Sequence, residues 1–520
     1  MLSALAHLGR MTRAAYVFAR EGVLSSLDTS IMPPAAAFGV RIFRLIERRT
    51  PDARAVRISA ALDRLGPSYV KLGQFLATRP DVVGAEVARD LESLQDRMPP
   101  FKGAEESVER ALGRTIENAF TEFGPPVAAA SIAQVHKAEI RSGGKLRPVA
   151  VKVLRPGVAR RFNRDLQTFY TFAYQMERWS PLARRLRPVA VVDTLARSVA
   201  FEMDLRLEAA ALSELAENTR DDPGFRVPAV DWERTAKDVL TLEWVDGIPL
   251  ADHAGLAAAG HDLPALGRTL IQSFLRHAMR DGFFHADMHP GNLFVDAAGN
   301  IVAIDLGITG RLGPKERRFL AEILYGFIER DYLRVAQVHF QAGYVPLDQS
   351  VEDFARALRS IGEPIHDRTA EEISMARLLT QLFEVTELFD MKTRVELIML
   401  QKTMVVVEGV ARSLDPKLDL WKTADPVVRE WITRNLGPQG KLDDAVNGFG
   451  RLVQGIAALP DLLVRAERIA AQVELMTVDG FPISKESLRS VETARSRGSL
   501  WMTLALWVIA ALLAVLIYLR

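Results

Sequence analysis

Apolar and polar positions along the chain change period several times. Gly66-Pro67 opens a stretch from Ser68 to Thr78 with helical spacing, closed by Arg79-Pro80, and a second helix is predicted over Ala85 to Arg97, stopped by Met98-Pro99-Pro100. Alternation then replaces the helical period. Val127 to Val135, Lys137 to Ile140 and Val149 to Leu154 read as strands, with the turn signal Ser142-Gly143-Gly144 between the last two. From Phe201 to Asn218 the spacing is helical again, Val239 to Trp244 is strand-like before Asp246-Gly247, and Leu263 to Arg280 is a helix ending at Gly282. Two short strands, Leu293 to Val295 and Ile301 to Ile304, are joined by the turn Asp296 to Asn300, and beyond Pro314 helical spacing runs to about Leu420. This order predicts an α+β, two-lobed chain: a helical extension over 1–100, a strand-rich lobe over 101–245 and a helical lobe over 246–435. An amphipathic helical linker, 436–499, follows the break at Gly437-Pro438.

Leu500 to Leu519 carries no charge, and at ~1.5 Å per residue its length matches the ~30 Å of a bilayer's hydrocarbon core. A transmembrane anchor over 500–520 is therefore expected. Arg495 and Arg497 before it against Arg520 after it keep the large N-terminal part on the cytoplasmic side. The first 24 residues, with Arg10, Arg13 and Arg20 and no acid before Glu21, fit a solvated surface helix, an interfacial helix or a mitochondrial transit peptide.

Composition narrows the chemistry. A formal charge of +1 gives no global bias toward nucleic acid, and none is expected as a partner. The absence of cysteine excludes disulfides, thiolate catalysis and Cys-ligated zinc. Only 13 of the 66 basic residues are lysine, so Lys71 and Lys152 stand out, a compact ammonium being suited to a phosphate pocket.

Four strings have the order of a phosphoryl-transfer site: VAVK ending at Lys152, EMD at Glu202 to Asp204, HADMHPGN at His285 to Asn292 and DLG at Asp305 to Gly307. Asp287 and Asn292 have the Asp-x-x-x-x-Asn spacing that lets one loop present a carboxylate to the reacting group and an amide oxygen to a metal. Asp305 follows a predicted buried strand, where a carboxylate is costly unless paired or metal-bound. His285 and His289 do not make a zinc helix, because Ala286 stands where a Glu is needed and Pro290-Gly291 stops any helix; they are expected to brace the loop. Glu202, Asp204 and Glu208 fall on one predicted helix, with Glu208 assigned to Lys152 and Glu202 or Asp204 to Lys71.

With Lys71-Leu72-Gly73-Gln74, Glu202-Met203-Asp204 and the run AAASIAQVH at Ala128 to His136, the chain resembles the UbiB family of atypical kinase-like proteins, over about Leu65 to Gly307. Glu408 to Arg412 and Leu414-Asp415-Pro416 extend the likeness. The resemblance implies a protein-kinase-like fold, ATP and magnesium as cofactors, and a role in ubiquinone biosynthesis, acting on or presenting polyprenyl-quinone and membrane-lipid intermediates or supporting the enzymes that do. It places Asp287 as catalytic carboxylate and Lys152 on the phosphates. Asn292 and Asp305 would hold magnesium, and Lys71, Gln74, Glu202 and Asp204 would regulate or occlude the site. Ala128, Ala129, Ala130, Ser131, Ile132, Ala133, Gln134, Val135, Glu208, Glu243 and Val245 complete the nucleotide set. The implied location is the cytoplasmic face of a bacterial inner membrane, with a mitochondrial inner membrane as the alternative. Alanine where kinases carry glycine adds a Cβ and disfavours positive φ, which alters how closely the loop approaches phosphates. A catalytically silent, nucleotide-gated scaffold for lipid and protein is the competing expectation. A small-molecule kinase of the choline type shares the Asp-x-x-x-x-Asn loop but leaves the Lys71 segment unexplained.

Overall fold

The computed structural model describes residues 2–23, 46–48, 54–77, 98–179, 187–365 and 395–437, with isolated positions between. The residues up to Ile432 form one compact unit. Among the described residues no helix is long and apolar enough to cross a membrane. The anchor expected at Leu500 to Leu519 and the linker before it lie outside the described residues, as does nearly all of the helix expected over Ala85 to Arg97.

Among the described residues three helices begin the unit: α1 (Leu2–Arg20), α2 (Arg54–Leu65) and α3 (Pro67–Ala77), the last starting at proline, whose fixed φ and missing N–H suit a first helical turn. After α4 (Ala104–Leu112) come β1 (Glu122–Ala129), β2 (Ala133–Ser142) and β3 (Lys145–Leu154). Helices α5 (Val158–Trp179), α6 (Pro188–Glu202) and α7 (Leu205–Asn218) lead to β4 (Phe225–Arg226) and β5 (Val239–Glu243). One antiparallel sheet has the order β1-β2-β3-β5. Val149, Val151 and Val153 bury one face of β3 in a cluster with Val108 of α4, each stabilising by roughly 1.5–3 kcal/mol. Alternation turns Lys152 to the other face.

The second lobe holds β6 (Gly247–Pro249), α8 (Leu263–Arg276), β7 (Phe283–His285), β8 (Leu293–Asp296), β9 (Ile301–Ala303) and β10 (Thr309–Arg311). These make a sheet of order β4-β9-β8-β6 and the pair β10-β7. Helices α9 (Pro314–Ile328), α10 (Tyr332–Gln341), α11 (Val351–Gly362), α12 (Val395–Leu414) and α13 (Leu420–Leu436) follow. The largest core joins this lobe to the extension, with Ala14, Leu62 and Tyr69 in the same cluster as Leu212, Phe274 and Ala411.

Two expectations are corrected. The helix expected from Phe201 to Asn218 is two helices, broken at Met203-Asp204. Asp204 takes an extended conformation, φ −132°, and its carboxylate accepts from Arg206 N, capping α7. The strand expected from Val127 to Val135 is a hairpin, closed where Ala130 N donates to Ala133 O at 2.8 Å. The helix ending near Gly282 is present as α8 plus a π-turn, His277–Asp281, and Gly282 closes it with φ 66°, where an added Cβ would lie 2.5 Å from Leu312 O.

Candidate functional site

Lys152 reaches out of β3 into a cluster built by both lobes. Its Nζ lies 2.7 and 3.0 Å from the two carboxylate oxygens of Glu208 on α7 and 2.7 Å from Asp305 Oδ2, just beyond β9. The expected Lys152–Glu208 pair is present. The Asp305 contact was not foreseen: it joins residues 153 positions apart, which no local period encodes. Burial opposes the lysine's charge, but Asp305 and Glu208 outweigh it and hold the ammonium above its ordinary range. Burial raises Glu208 to about 7 against the pull of Lys152, with Asp305 adding to the rise. Burial also works against the Asp305 charge, yet Lys152 and a hydrogen bond from Gly307 N at 2.9 Å hold its carboxyl well below the carboxylate range. Asp305 still exposes 40% of its side chain.

The loop opposite is made by β7, a 3₁₀ turn at Pro290–Asn292 and β8. The Asn292 amide nitrogen donates to Asp287 O at 3.2 Å, so the amide oxygen is the atom suited to a metal. Both histidines brace the loop as expected: Asp287 N donates to His285 Nδ1 and Gly291 N to His289 Nδ1. Burial lowers His285, keeping the ring neutral. Among the described residues no three His, Asp or Glu side chains converge as a metal cage. Magnesium commonly takes one or two carboxylates and completes its shell with phosphate oxygens and water; Asp305 and Asn292 are hard oxygen donors of that kind.

Lys71 pairs with Glu202 at 2.6 Å, both nearly out of solvent. Asp204 does not share this role: it binds Arg206, whose hydrogen bonds hold its carboxyl below the usual range. Lys71 and Gln74 lie on α3, whose Leu72, Phe75 and Leu76 pack against the large core. The expected nucleotide loop is the β1–β2 hairpin, with Ala128 and Ala129 ending β1, Ala130, Ser131 and Ile132 in the turn, and Ala133, Gln134 and Val135 opening β2. Gln134 is committed to Phe101, accepting from its N at 2.8 Å and donating to its O at 3.2 Å. Glu243, at the end of β5, binds Arg226 at 3.1 Å, and Val245 follows two residues later. Both side chains are thus engaged within the protein. Arg155, overlooked in the sequence because an arginine after a strand has no distinguishing period, hydrogen-bonds this same loop.

Comparison with known proteins agrees with this geometry. Residues 93–339 match the ABC1 atypical kinase-like domain and residues 358–419 the UbiB helical domain. A protein of Marinobacter nauticus named "Probable protein kinase UbiB" is 38% identical over 471 residues, 88% of this chain and 85% of that one. One of the same name from Azotobacter vinelandii is 40% identical over 407 residues, covering 77% and 75%. A solved Mycobacterium tuberculosis structure, the Rv3197–erythromycin complex, superposes with a TM-score of 0.50 at 28% identity over 70% of this chain and 93% of that one.

Proposed function

The chain belongs to the UbiB family of ABC1 atypical kinase-like proteins, and on that footing we propose that its cleft binds ATP with magnesium and hydrolyses it in support of ubiquinone biosynthesis. The observation that carries this is Lys152 held between Glu208 of one lobe and the partly exposed Asp305 of the other. Lys152 presents a fixed positive charge to phosphate oxygens, with Glu208 setting its direction. Asp305 has one oxygen fixed by Gly307 and the other on Lys152, so it exchanges an internal cation for a bound one at little cost in charge. Magnesium, when bound, neutralises charge on the phosphates. Asp287, its backbone fixed by His285 and Asn292, is the carboxylate we assign to orienting the attacking group.

The membrane part of the proposal rests on the charge-free Leu500 to Leu519 run, which would anchor the catalytic unit on the cytoplasmic side, next to prenylated, water-insoluble intermediates. ATP turnover by the full chain in detergent, with and without a prenylated phenol, tests the chemistry. Asp287→Asn is expected to lower kcat by about 10²–10⁴-fold. Turnover unchanged by that substitution would sink the catalytic assignment, and restored ubiquinone synthesis by the inactive variant would favour the scaffold instead.

A further inference from the structure

Resting on the nucleotide reading above, we propose that Arg155 and Gln134 form a latch that holds the alanine loop in its phosphate-facing pose, the work that conformational freedom does in a glycine-rich loop. Three consecutive loop carbonyls converge on Arg155. Its Nε donates to Ser131 O at 3.3 Å, its terminal nitrogen to Ala130 O at 3.1 Å, and its backbone N to Ile132 O at 2.7 Å. The same terminal nitrogen reaches Pro99 O at 3.1 Å, and the guanidinium lies 5.0 Å from the centre of the Phe101 ring. Gln134, fully buried, binds both backbone groups of Phe101, and Met98 N donates to Ala129 O at 3.3 Å. A strap of four residues, Met98 to Phe101, is thus fastened across the outside of the loop.

The direction follows from peptide geometry. The Arg155 guanidinium lies against Phe101, which packs on the α4 side of the sheet, away from the Lys152 cluster. In a trans peptide the C=O and the following N–H point in opposite directions. Carbonyls of Ala130 and Ser131 held on the outer side therefore turn the amides of Ser131 and Ile132 to the opposite, inner side, where both residues are buried and from which such loops meet phosphate. Alanine suits this arrangement, because a loop fixed by side chains has no need of left-handed backbone.

The latch acts on the phosphates and not on the base, which gives it a readout that general loosening of the lobe does not share. Titration calorimetry on the full chain with Mg²⁺ is expected to show about ten-fold weaker ADP binding for Arg155→Met, with adenosine binding unchanged. Arg155→Lys, a point charge without the fork, should recover only part of the loss. Hydrogen exchange of the 130–133 amides without nucleotide is expected to speed up in Arg155→Met and in Gln134→Ala. Equal loss for ADP and adenosine, full recovery by lysine, or unchanged exchange in both variants overturns the latch. Wild-type protein that binds neither ligand overturns the nucleotide reading itself, while the exchange experiment still judges the latch.

Discussion

Lys152 and Lys71 each face a glutamate largely shielded from solvent, at 2.7 and 2.6 Å, and in a chain so rich in arginine both are minority choices. Their surroundings differ. Lys71 and Glu202 retain 14% and 11% of their side-chain surface and join α3 to the end of α6. Lys152 touches two carboxylates from opposite lobes, and one of them, Asp305, keeps 40% of its surface open to the cleft. The first pair joins the extension to the helix that precedes Glu208; the second, on the function proposed above, holds a charge that a ligand can take over. Burial alone does not distinguish a structural ion pair from a working one. The exposed third partner does.

The largest expected effect comes from Lys152→Ala. Glu208 and Asp305 then lose their shared cation, which costs about 3–5 kcal/mol, and turnover of ATP is expected to be lost. Chemical denaturation and a turnover assay on the full chain measure both. Lys71→Ala strands Glu202 at a partly hydrated site, so a loss of about 1–3 kcal/mol is expected, with turnover within a few-fold of wild type. Equal turnover losses for the two variants would erase the distinction between the lysines.

A smaller and more specific effect is expected from pH. Glu208 is raised from 4.5 in the unfolded chain to about 7 in the fold. The folded state thus binds the extra proton between these values, and Glu208's contribution to stability falls as pH rises through that window. Buried, neutral His277 and His285 act in the opposite sense, their lowered values making stability fall as pH drops below about 6.5. The difference between wild type and Glu208→Gln isolates the glutamate: relative to the variant, wild type should lose stability from pH 4.5 to 7. A constant difference across that range would contradict the raised value of Glu208 in the fold.

Much of this site was legible because its parts sit on regular elements. A lysine near the end of an alternating strand and a glutamate on a helix further along the same lobe both sit on elements that the apolar pattern predicts. The failures have local causes. Asp204 has the spacing of a helical residue, yet its short carboxylate competes for backbone amides and starts a new helix, which moves it from Lys71 to Arg206. The run of small apolar residues from Val127 to Val135 looks like one strand because alanine marks no turn, and the turn is held by Arg155 from outside. The Lys152–Asp305 contact depends on how the lobes meet, a tertiary outcome that sequence spacing does not carry.

The most direct test of Asp305 as the exchangeable partner is calorimetric binding of ADP to the full chain, with and without Mg²⁺, in wild type and Asp305→Asn. Wild type is expected to bind ADP at least ten-fold more tightly with Mg²⁺ than without, and Asp305→Asn to lose that dependence. An Asp305→Asn variant whose Mg²⁺ dependence equals that of wild type would contradict the assignment.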